Sequence, residues 1–160
     1  MPPVKSIEEV LSETRIYQVL RSQLVTAPPQ LSLKEALALM QRERAGYIVI
    51  ADEHLKVVGM FTEREVLMNV MKKNVDFKAP VSKYMRTDVH TLKKSDSVQA
   101  AIDAMDAFSI RHVPLVDEFG QINGVLSIRT IVNFLSELFP KEVFNLPPKA
   151  DQIHETAEGG

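Results

Sequence analysis

Hydroxyl side chains occur at two points where an apolar run gives way to a helical pattern, and an arginine follows each of them two residues later. Thr62, Arg64 and Glu65 form the first set, and Ser127, Arg129 and Thr130 form the second. In the first turn of a helix the backbone N–H groups lack partners, and the positive end of the helix dipole faces outward. Such a turn can accept a phosphate or the edge of a sugar, and an arginine can pair with the phosphate.

The same residue types also have a structural explanation. Thr62 and Glu65 have the spacing of a capping box, which satisfies helix N–H groups without a ligand, and Ser127 can cap its helix in the same way. Arg64 and Arg129 are equally compatible with solvated charges on a helix surface. The residues by themselves therefore leave both a ligand site and a pair of helix caps open.

The two sets belong to an internal repeat. Residues 24–72 and 89–137 align without a gap at a separation of 65 positions, and the identical pairs are Thr26/Thr91, Ser32/Ser97, Ala36/Ala101, Met40/Met105, Asp52/Asp117, Glu53/Glu118, Gly59/Gly124 and Arg64/Arg129. The apolar positions 33, 36, 37 and 40 match 98, 101, 102 and 105, and both sets have the spacing of one helix face. We therefore expect two copies of one supersecondary unit.

Each copy is predicted to run strand, helix, strand, strand, helix. A short extended piece at 24–26 or 89–92 precedes a helix whose N-cap is Ser32 or Ser97, and Glu35 completes a capping box with Ser32. Two apolar runs separated by polar turns follow, and the closing helices start at Thr62 and Ser127. The expected fold class is α/β (α+β), with two tandem β-α-β-β-α units in pseudo-two-fold symmetry and an N-terminal helix.

The predicted organisation has five parts. They are an N-terminal helix within 1–22, the first repeat at 23–72, a linker at 73–86, the second repeat at 87–139 and a C-terminal tail at 140–160. Residues 6–23 have the pattern of one amphipathic helix, which would pack on the repeats or on a partner subunit. The tail has few apolar residues after Leu146, so we expect its end to be mobile.

Composition excludes several classes of protein. The chain has 160 residues, 45% of them hydrophobic, with a net charge of −2 and a pI near 6.1, so no basic field attracts duplex DNA. It has no cysteine, which excludes disulfides and thiolate chemistry. The longest uncharged run, 22–33, has 12 residues, whereas a membrane span needs about 20. With no export signal at its start, a cytoplasmic protein without a membrane span is expected.

The run "RHVPLVD", followed by "GVLS", and a helix opened by Thr or Ser after a glycine and two apolar residues resemble a pair of CBS domains, the Bateman module. The resemblance covers about residues 20–139. It implies a regulatory module whose two clefts hold adenine nucleotides and which pairs into a disc-like homodimer. The apolar residues Ile131, Phe134, Leu135, Leu138 and Phe139 crowd the last helix, which also favours a dimer through the last helices, the leading helix or both, although these residues are equally compatible with the monomer core.

The resemblance also assigns residues to the clefts, because in this family each cleft joins the helix start of one repeat to the first strand of the other. The Glu65 cleft would be completed by Thr91, Ile110 and Arg111. The Thr130 cleft would use Thr26 and Gly46, with Arg111 and His112 near the phosphates. The family typically has Asp at the fourth helix position, where it accepts hydrogen bonds from the ribose. Glu65 keeps a carboxylate there and Thr130 does not, so nucleotide is expected to prefer the Glu65 cleft.

A catalytic function is not expected. Ser127, His112 and Asp117 are the residue types of a triad, but no G-x-S-x-G sequence surrounds the serine. The four histidines, at 54, 90, 112 and 154, lack a paired ligand spacing, so no transition-metal site is predicted. Mg²⁺ bound to a phosphate remains compatible, because such an ion needs few protein ligands.

Two functions therefore remain open. The first is a stand-alone sensor that binds an adenine nucleotide of the AMP, ADP or ATP type and signals to a separate effector protein. The alternative is a structural dimerisation module with empty, degenerate clefts. Glu65 and Arg111 favour binding in one cleft, whereas Thr130 favours the alternative for the other.

Overall fold

The described part of the chain starts with two short helices. In the computed structural model, which describes residues 5–21 and 23–139, α1 spans Ile7–Glu13 and α2 spans Ile16–Val19. The prediction of one amphipathic helix over 6–23 is therefore wrong, because Thr14 and Arg15 are both extended and separate the two helices. The predicted tail at 140–160 lies outside the described residues.

The first repeat contains a three-stranded sheet and its helices. Strands β1, Thr26–Ala27, β2, Tyr47–Ala51, and β3, Val57–Thr62, lie in that order, with β1 parallel and β3 antiparallel to β2. Helix α3, Leu33–Glu43, connects β1 to β2, and the predicted capping box at its start is confirmed. Helix α4, Glu63–Glu65, continues directly into a π-helix, Val66–Met71.

The second repeat has the same element order with one difference. It contains α5, Val98–Phe108, β4, His112–Val116, β5, Ile122–Ser127, and α6, Ile128–Leu138. Its predicted leading strand is reduced to a single parallel bridge between Leu92 and Leu115. In the first repeat the Val49 N–H donates to the Val25 carbonyl at 2.9 Å, but Pro114 stands at the position of Val49 and has no N–H to donate.

The turn that precedes each repeat packs on the other repeat. Helix α2 lies against the second repeat, and a 3₁₀ turn, Val81–Lys83, lies against the first, within the segment predicted as the linker. Their backbone hydrogen bonds correspond at the same separation of 65 positions. The N–H groups of Ile16 and Tyr17 donate to the carbonyls of Asp96 (2.9 Å) and Lys94 (3.0 Å). The equivalent N–H groups of Val81 and Ser82 donate to the carbonyls of Leu31 (2.7 Å) and Pro29 (3.1 Å). The two repeats are therefore interlocked by their leading turns.

Two apolar cores support this arrangement. Val81 is fully buried in the core of the first repeat, and Ile16 is fully buried in the core of the second. The helix faces predicted from the apolar spacing supply Leu33, Ala36 and Met40 to one core and Val98, Ala101 and Met105 to the other. The predicted fold class is confirmed, since two tandem α+β repeats follow an N-terminal helix.

The identical Asp52 and Asp117 shape the two hairpin turns. Asp52 accepts backbone hydrogen bonds from residues 54 and 56, and Asp117 accepts them from residues 119 and 121, all at 2.9 Å. The bond from the Lys56 N–H is the main reason why the pKa of Asp52 is lowered. Each turn also has one residue with positive φ, Leu55 at 61° and Gly120 at 78°. The identity of Asp52 and Asp117 is therefore explained by the geometry of the two turns.

Candidate functional site

A cavity of about 450 Å³ lies between the two repeats. One wall is the start of the closing helix of the first repeat. Another contains Arg86, residues 88–90 and the entry to β4. We call residues 88–90, and the equivalent residues 23–25 of the first repeat, the leading segments. We call the cavity itself the Glu65 cavity, and its lining residues are Gly46, Met60, Thr62, Glu63, Arg64, Glu65, Leu67, Met68, Arg86, Asp88, Val89, His90, Ser109, Ile110, Arg111, His112 and Pro114.

Thr62 and Glu65 form the capping box that the sequence predicts. The Thr62 hydroxyl accepts a hydrogen bond from the Arg64 N–H at 3.2 Å, and the Glu65 carboxylate accepts one from the Thr62 N–H at 2.9 Å. The Thr62 hydroxyl also bonds to the same carboxylate oxygen, Oε2. Glu65 is only 5% exposed, so a buried carboxylate is held in a fixed position at the cavity wall.

Charges of both signs surround this carboxylate. Arg64, Arg86 and Arg111 line the cavity together with Glu63 and Asp88. Asp88 is a partner for Arg86, with 3.7 Å between Nη2 and Oδ2, whereas Arg64 and Arg111 are exposed. The cavity can therefore offer a hydrogen-bond acceptor at one point and guanidinium groups at others, which suits a ligand with both hydroxyl and anionic groups.

His112 joins the two repeats at the inner side of the cavity. Its ring lies 5.0 Å from the ring of Tyr47, centroid to centroid. Burial lowers the pKa of His112 and nearby Arg111 lowers it further, while Glu63 and Glu65 act in the opposite direction. A neutral imidazole can donate one hydrogen bond and accept another, and a bound anion would favour its protonated form.

The structure brings together most of the residues assigned to the Glu65 cleft. Thr62, Arg64, Glu65, Ile110 and Arg111 all line the cavity, whereas Thr91 is exposed and lies outside the lining.

The assignment of Gly46 and His112 to the other cleft changes, since both line the Glu65 cavity. The Gly46 carbonyl accepts the Glu63 N–H at 3.1 Å, and a Cβ at Gly46 would clash with Glu63 Oε1. The start of the closing helix therefore lies directly against this glycine.

The other residues assigned to the second cleft, Thr26, Ser127, Arg129 and Thr130, lie outside the Glu65 cavity. Ser127 caps α6 by accepting the Thr130 N–H at 3.2 Å, and the two hydroxyls are 3.1 Å apart. Thr26 is exposed in β1, where it faces Val49, and Arg129 is exposed. By the separation of 65 positions, Gln23, Tyr47, Ser127, Arg129 and Thr130 correspond to Asp88, His112, Thr62, Arg64 and Glu65, and from here on the name Thr130 cleft refers to the first five of these residues.

Sequence reasoning missed Arg86, Asp88, His90 and Pro114 as cavity residues. Arg86 fell in the predicted linker and His90 in the predicted extended piece at 89–92, while Asp88 and Pro114 were given no part in a cleft. The ring of His90 stacks on Phe108 at 3.4 Å between centroids. A signal for Arg86 does exist in the sequence, because it is identical to Arg21 at the same separation of 65 positions.

The structure separates the residues of the discounted catalytic triad. His112 and Ser127 face each other in the register of β4 and β5, but Asp117 follows the far end of β4 and is engaged in its hairpin turn. Within residues 5–21 and 23–139, no group of three or more His, Asp or Glu side chains is placed to hold a metal ion. No helix in that same part of the chain is long and apolar enough to cross a membrane.

Comparisons with known proteins place these features in a family. The sequence model described as the CBS domain matches twice, over residues 16–72 and 81–137. An uncharacterized 17.7 kDa protein in the bps2 3′ region of Acidianus ambivalens is 29% identical over 125 residues, which cover 78% of this chain and 75% of that protein. Inosine-5′-monophosphate dehydrogenase of Aquifex aeolicus is 28% identical over 133 residues, 82% of this chain but 26% of the enzyme.

Solved structures give the same result for the fold. The CBS domain pair of protein MJ0100, in complex with 5′-methylthioadenosine and S-adenosyl-L-methionine, matches with a TM-score of 0.71 and 23% identity. The match covers 78% of this chain and 98% of that one.

Proposed function

The chain belongs to the CBS domain family, with two CBS domains in tandem, and on this premise we propose that it is a regulatory module that binds an adenine nucleotide in the Glu65 cavity and signals to a separate effector protein. The observation that carries the proposal is the cavity of about 450 Å³, which has a buried carboxylate and several arginines in its wall. Its volume lies within the range of about 300–1,000 Å³ that is usual for small-molecule sites.

The chemistry of the wall supports a nucleotide of the AMP, ADP or ATP type. Glu65 keeps one carboxylate oxygen, Oε1, apart from the bonds to Thr62 that the structure shows, and this oxygen can accept from a ribose hydroxyl. Arg64 and Arg111 can pair with phosphate. The adenosyl ligands named for the MJ0100 domain pair support the same ligand class.

In this proposal the protein binds the nucleotide without catalysing a reaction and acts in the cytoplasm. Mg²⁺ would enter only with a polyphosphate, because such an ion keeps most of its water and needs few protein ligands. Titration of ATP with and without Mg²⁺ tests this part, and an effect of Mg²⁺ on AMP binding would contradict it.

The test is calorimetric titration of AMP and ATP into the parent and three variants. Glu65→Ala should weaken binding by about tenfold or more, since it removes a charge-assisted acceptor. Thr130→Ala is the matched control at the equivalent position and should have little effect. Glu65→Gln separates binding from capping, because a Gln at this position preserves the capping box but loses the charge.

The outcomes distinguish the two functions left open by the sequence. If Glu65→Ala binds as tightly as the parent, or only Thr130→Ala weakens binding, the nucleotide uses a different cleft. If the parent binds neither nucleotide, the structural dimerisation module is favoured. Thermal unfolding of each variant shows whether it is folded.

We further propose a homodimer formed by the closing helices. Ile131 is 1% exposed and belongs to the monomer core, against which Phe134 and Leu135 also pack. The exposed apolar residues of these helices are instead Leu67, Met68, Met71, Ile128, Val132 and Leu138. Leu67 and Met68 also line the cavity, so one helix would link ligand binding to the dimer face. A monomeric mass for the parent by light scattering at high concentration would contradict the homodimer.

A further inference from the structure

Tyr47 occupies in the first repeat the position that His112 occupies in the second. The two side chains differ in what they leave open. His112 lines the Glu65 cavity, whereas Tyr47 is only 7% exposed and its hydroxyl donates to the Gln23 carbonyl at 2.8 Å. Burial raises the pKa of the Tyr47 phenol, so it stays protonated and keeps this donor. The Tyr47 hydroxyl therefore connects the start of β2 to Gln23, which lies shortly before β1.

The leading segment is tied to its surroundings at further points. The Gln23 amide donates to the Glu43 carbonyl at 3.0 Å, which fastens the segment to the end of α3. At the equivalent position in the Glu65 cavity the side chain of Asp88 is 74% exposed. Gln23 is thus bonded to the first repeat at two points, whereas Asp88 lines the cavity.

The backbone repeats this contrast. The Val49 N–H donates to the Val25 carbonyl at 2.9 Å, which draws the leading segment onto β2. Pro114 cannot make the equivalent bond to the His90 carbonyl, and both Pro114 and His90 line the Glu65 cavity. The second repeat keeps the pairing of Leu92 with Leu115 but lacks this one hydrogen bond beside the cavity.

The equivalent arginines also point to different partners. Arg86 lines the Glu65 cavity together with its partner Asp88, at 3.7 Å between Nη2 and Oδ2. Arg21, at the equivalent position, forms an ion pair with Glu137 of α6, at 2.9 Å between Nη2 and Oε1. Both arginines therefore have an acidic partner, but the Arg86 pair lies in a cavity wall whereas the Arg21 pair joins the start of the first repeat to α6.

From these contacts we infer that Tyr47 is a built-in plug of the Thr130 cleft, so that each chain takes up one adenine nucleotide, and that a histidine at this position opens a second site of the same ligand class. The inference rests on the proposed function for the chemistry of the ligand. It goes beyond that function by naming a residue that closes the cleft in which Thr130 replaces the carboxylate of Glu65.

The test is the number of AMP molecules bound per chain, measured by calorimetric titration. The parent should bind one, and Tyr47→His, which copies the second repeat, should bind two, the second about tenfold or more weaker because Thr130 offers no carboxylate. Tyr47→Phe is the matched control, because it keeps the ring but loses the bond to Gln23, and it should still bind one. Adding Glu65→Gln to Tyr47→His should weaken only one of the two sites.

Each result decides the matter. Two AMP per parent chain, or the same number for the parent and a folded Tyr47→His, overturns the plug and leaves the proposed function standing. If the parent binds no AMP, the proposed function fails in the Glu65 cavity. In that case one AMP per chain of Tyr47→His supports the plug, and none overturns it as well. If Tyr47→His does not fold by thermal unfolding, Tyr47→Leu replaces it with the same expected number.

Discussion

The rings of Tyr47 and His112 lie next to each other at the junction of the two repeats, with centroids 5.0 Å apart and planes inclined by 39°. The two residues are at equivalent positions, 65 residues apart. Each begins a strand that follows a helix whose C-cap, Arg44 or Ser109, has a left-handed conformation. The backbone that leads into the two positions is therefore alike. Their side chains differ, since the Tyr47 hydroxyl bonds to the Gln23 carbonyl whereas His112 lines the cavity.

The stability of the protein should fall as the pH drops through the range in which free histidine titrates. Burial lowers the pKa of His112, so the unfolded chain takes up a proton below about pH 6.5 before the folded protein does. The contribution of the neutral imidazole is complete above that pH and is lost as the pH falls towards the lowered pKa. Urea unfolding at about pH 7.5 and pH 5.5 should show a smaller loss for His112→Phe than for the parent.

The control for this prediction is His54→Phe. The His54 side chain is 74% exposed, so its replacement should leave the pH dependence of the parent unchanged. An identical loss of stability in the parent and in His112→Phe would show that His112 is not responsible.

Pro114→Val should extend the leading strand of the second repeat. The new N–H can donate to the His90 carbonyl, as the Val49 N–H does to Val25 at 2.9 Å. We expect the amide of residue 114 to be protected from hydrogen exchange in the variant. The reciprocal Val49→Pro removes the existing bond and should cost at least about 1 kcal/mol of unfolding free energy. Rapid exchange at residue 114, in a folded variant, would disprove the explanation given for the missing strand.

Ile16→Ala should destabilise the protein strongly although it lies before the first predicted repeat. Ile16 is fully buried in the core of the second repeat, and deleting a buried isoleucine side chain typically costs about 2–5 kcal/mol. Tyr17→Ala, at a neighbouring position that is 60% exposed, should change stability by less than about 0.5 kcal/mol. Equal effects in urea unfolding would mean that α2 does not hold the repeats together.

Leu55→Gly should stabilise the first hairpin turn. Leu55 has φ of 61°, and a left-handed conformation costs a non-glycine residue about 1–2 kcal/mol. Glycine also makes the unfolded chain more flexible, which costs about 0.5–1 kcal/mol of stability. The free energy of unfolding should therefore rise by about 0.5 kcal/mol. The reciprocal Gly120→Leu, at φ of 78°, should lose about 1 kcal/mol. A loss of stability in Leu55→Gly would show that the exposed side chain contributes packing instead of strain.

Features that depend on one turn of chain were predictable. Ser32, Ser97, Thr62 and Ser127 were predicted as N-caps, and each accepts a backbone N–H within its first turn. A cap involves residues two or three positions apart, so its geometry follows from local sequence. The apolar faces of α3 and α5 and the family resemblance were confirmed for the same reason, since both rest on short, regular spacings.

The candidate site was only partly predictable. Thr62, Glu65 and Arg111 were assigned together and do meet in one cavity. Arg86 was missed because the repeat was compared from residue 24 onward, although the separation of 65 positions extends back to Ile16 and Val81. The exchange of leading turns was also missed, because a sequence shows that two turns are equivalent but not which repeat each one packs against.

The sequence by itself determined that this protein has two copies of one α+β unit, where their helices begin, and which positions correspond between the copies. Only the tertiary structure decided that the cavity forms on the Glu65 side, and that the leading turns cross between the repeats. The physical reason is that a cavity depends on side chains and backbone groups that are distant in the chain. The Tyr47 hydroxyl donates to the Gln23 carbonyl, and Pro114 has no N–H to donate to the His90 carbonyl. Neither feature has a local sequence pattern, because each involves residues far apart in the chain.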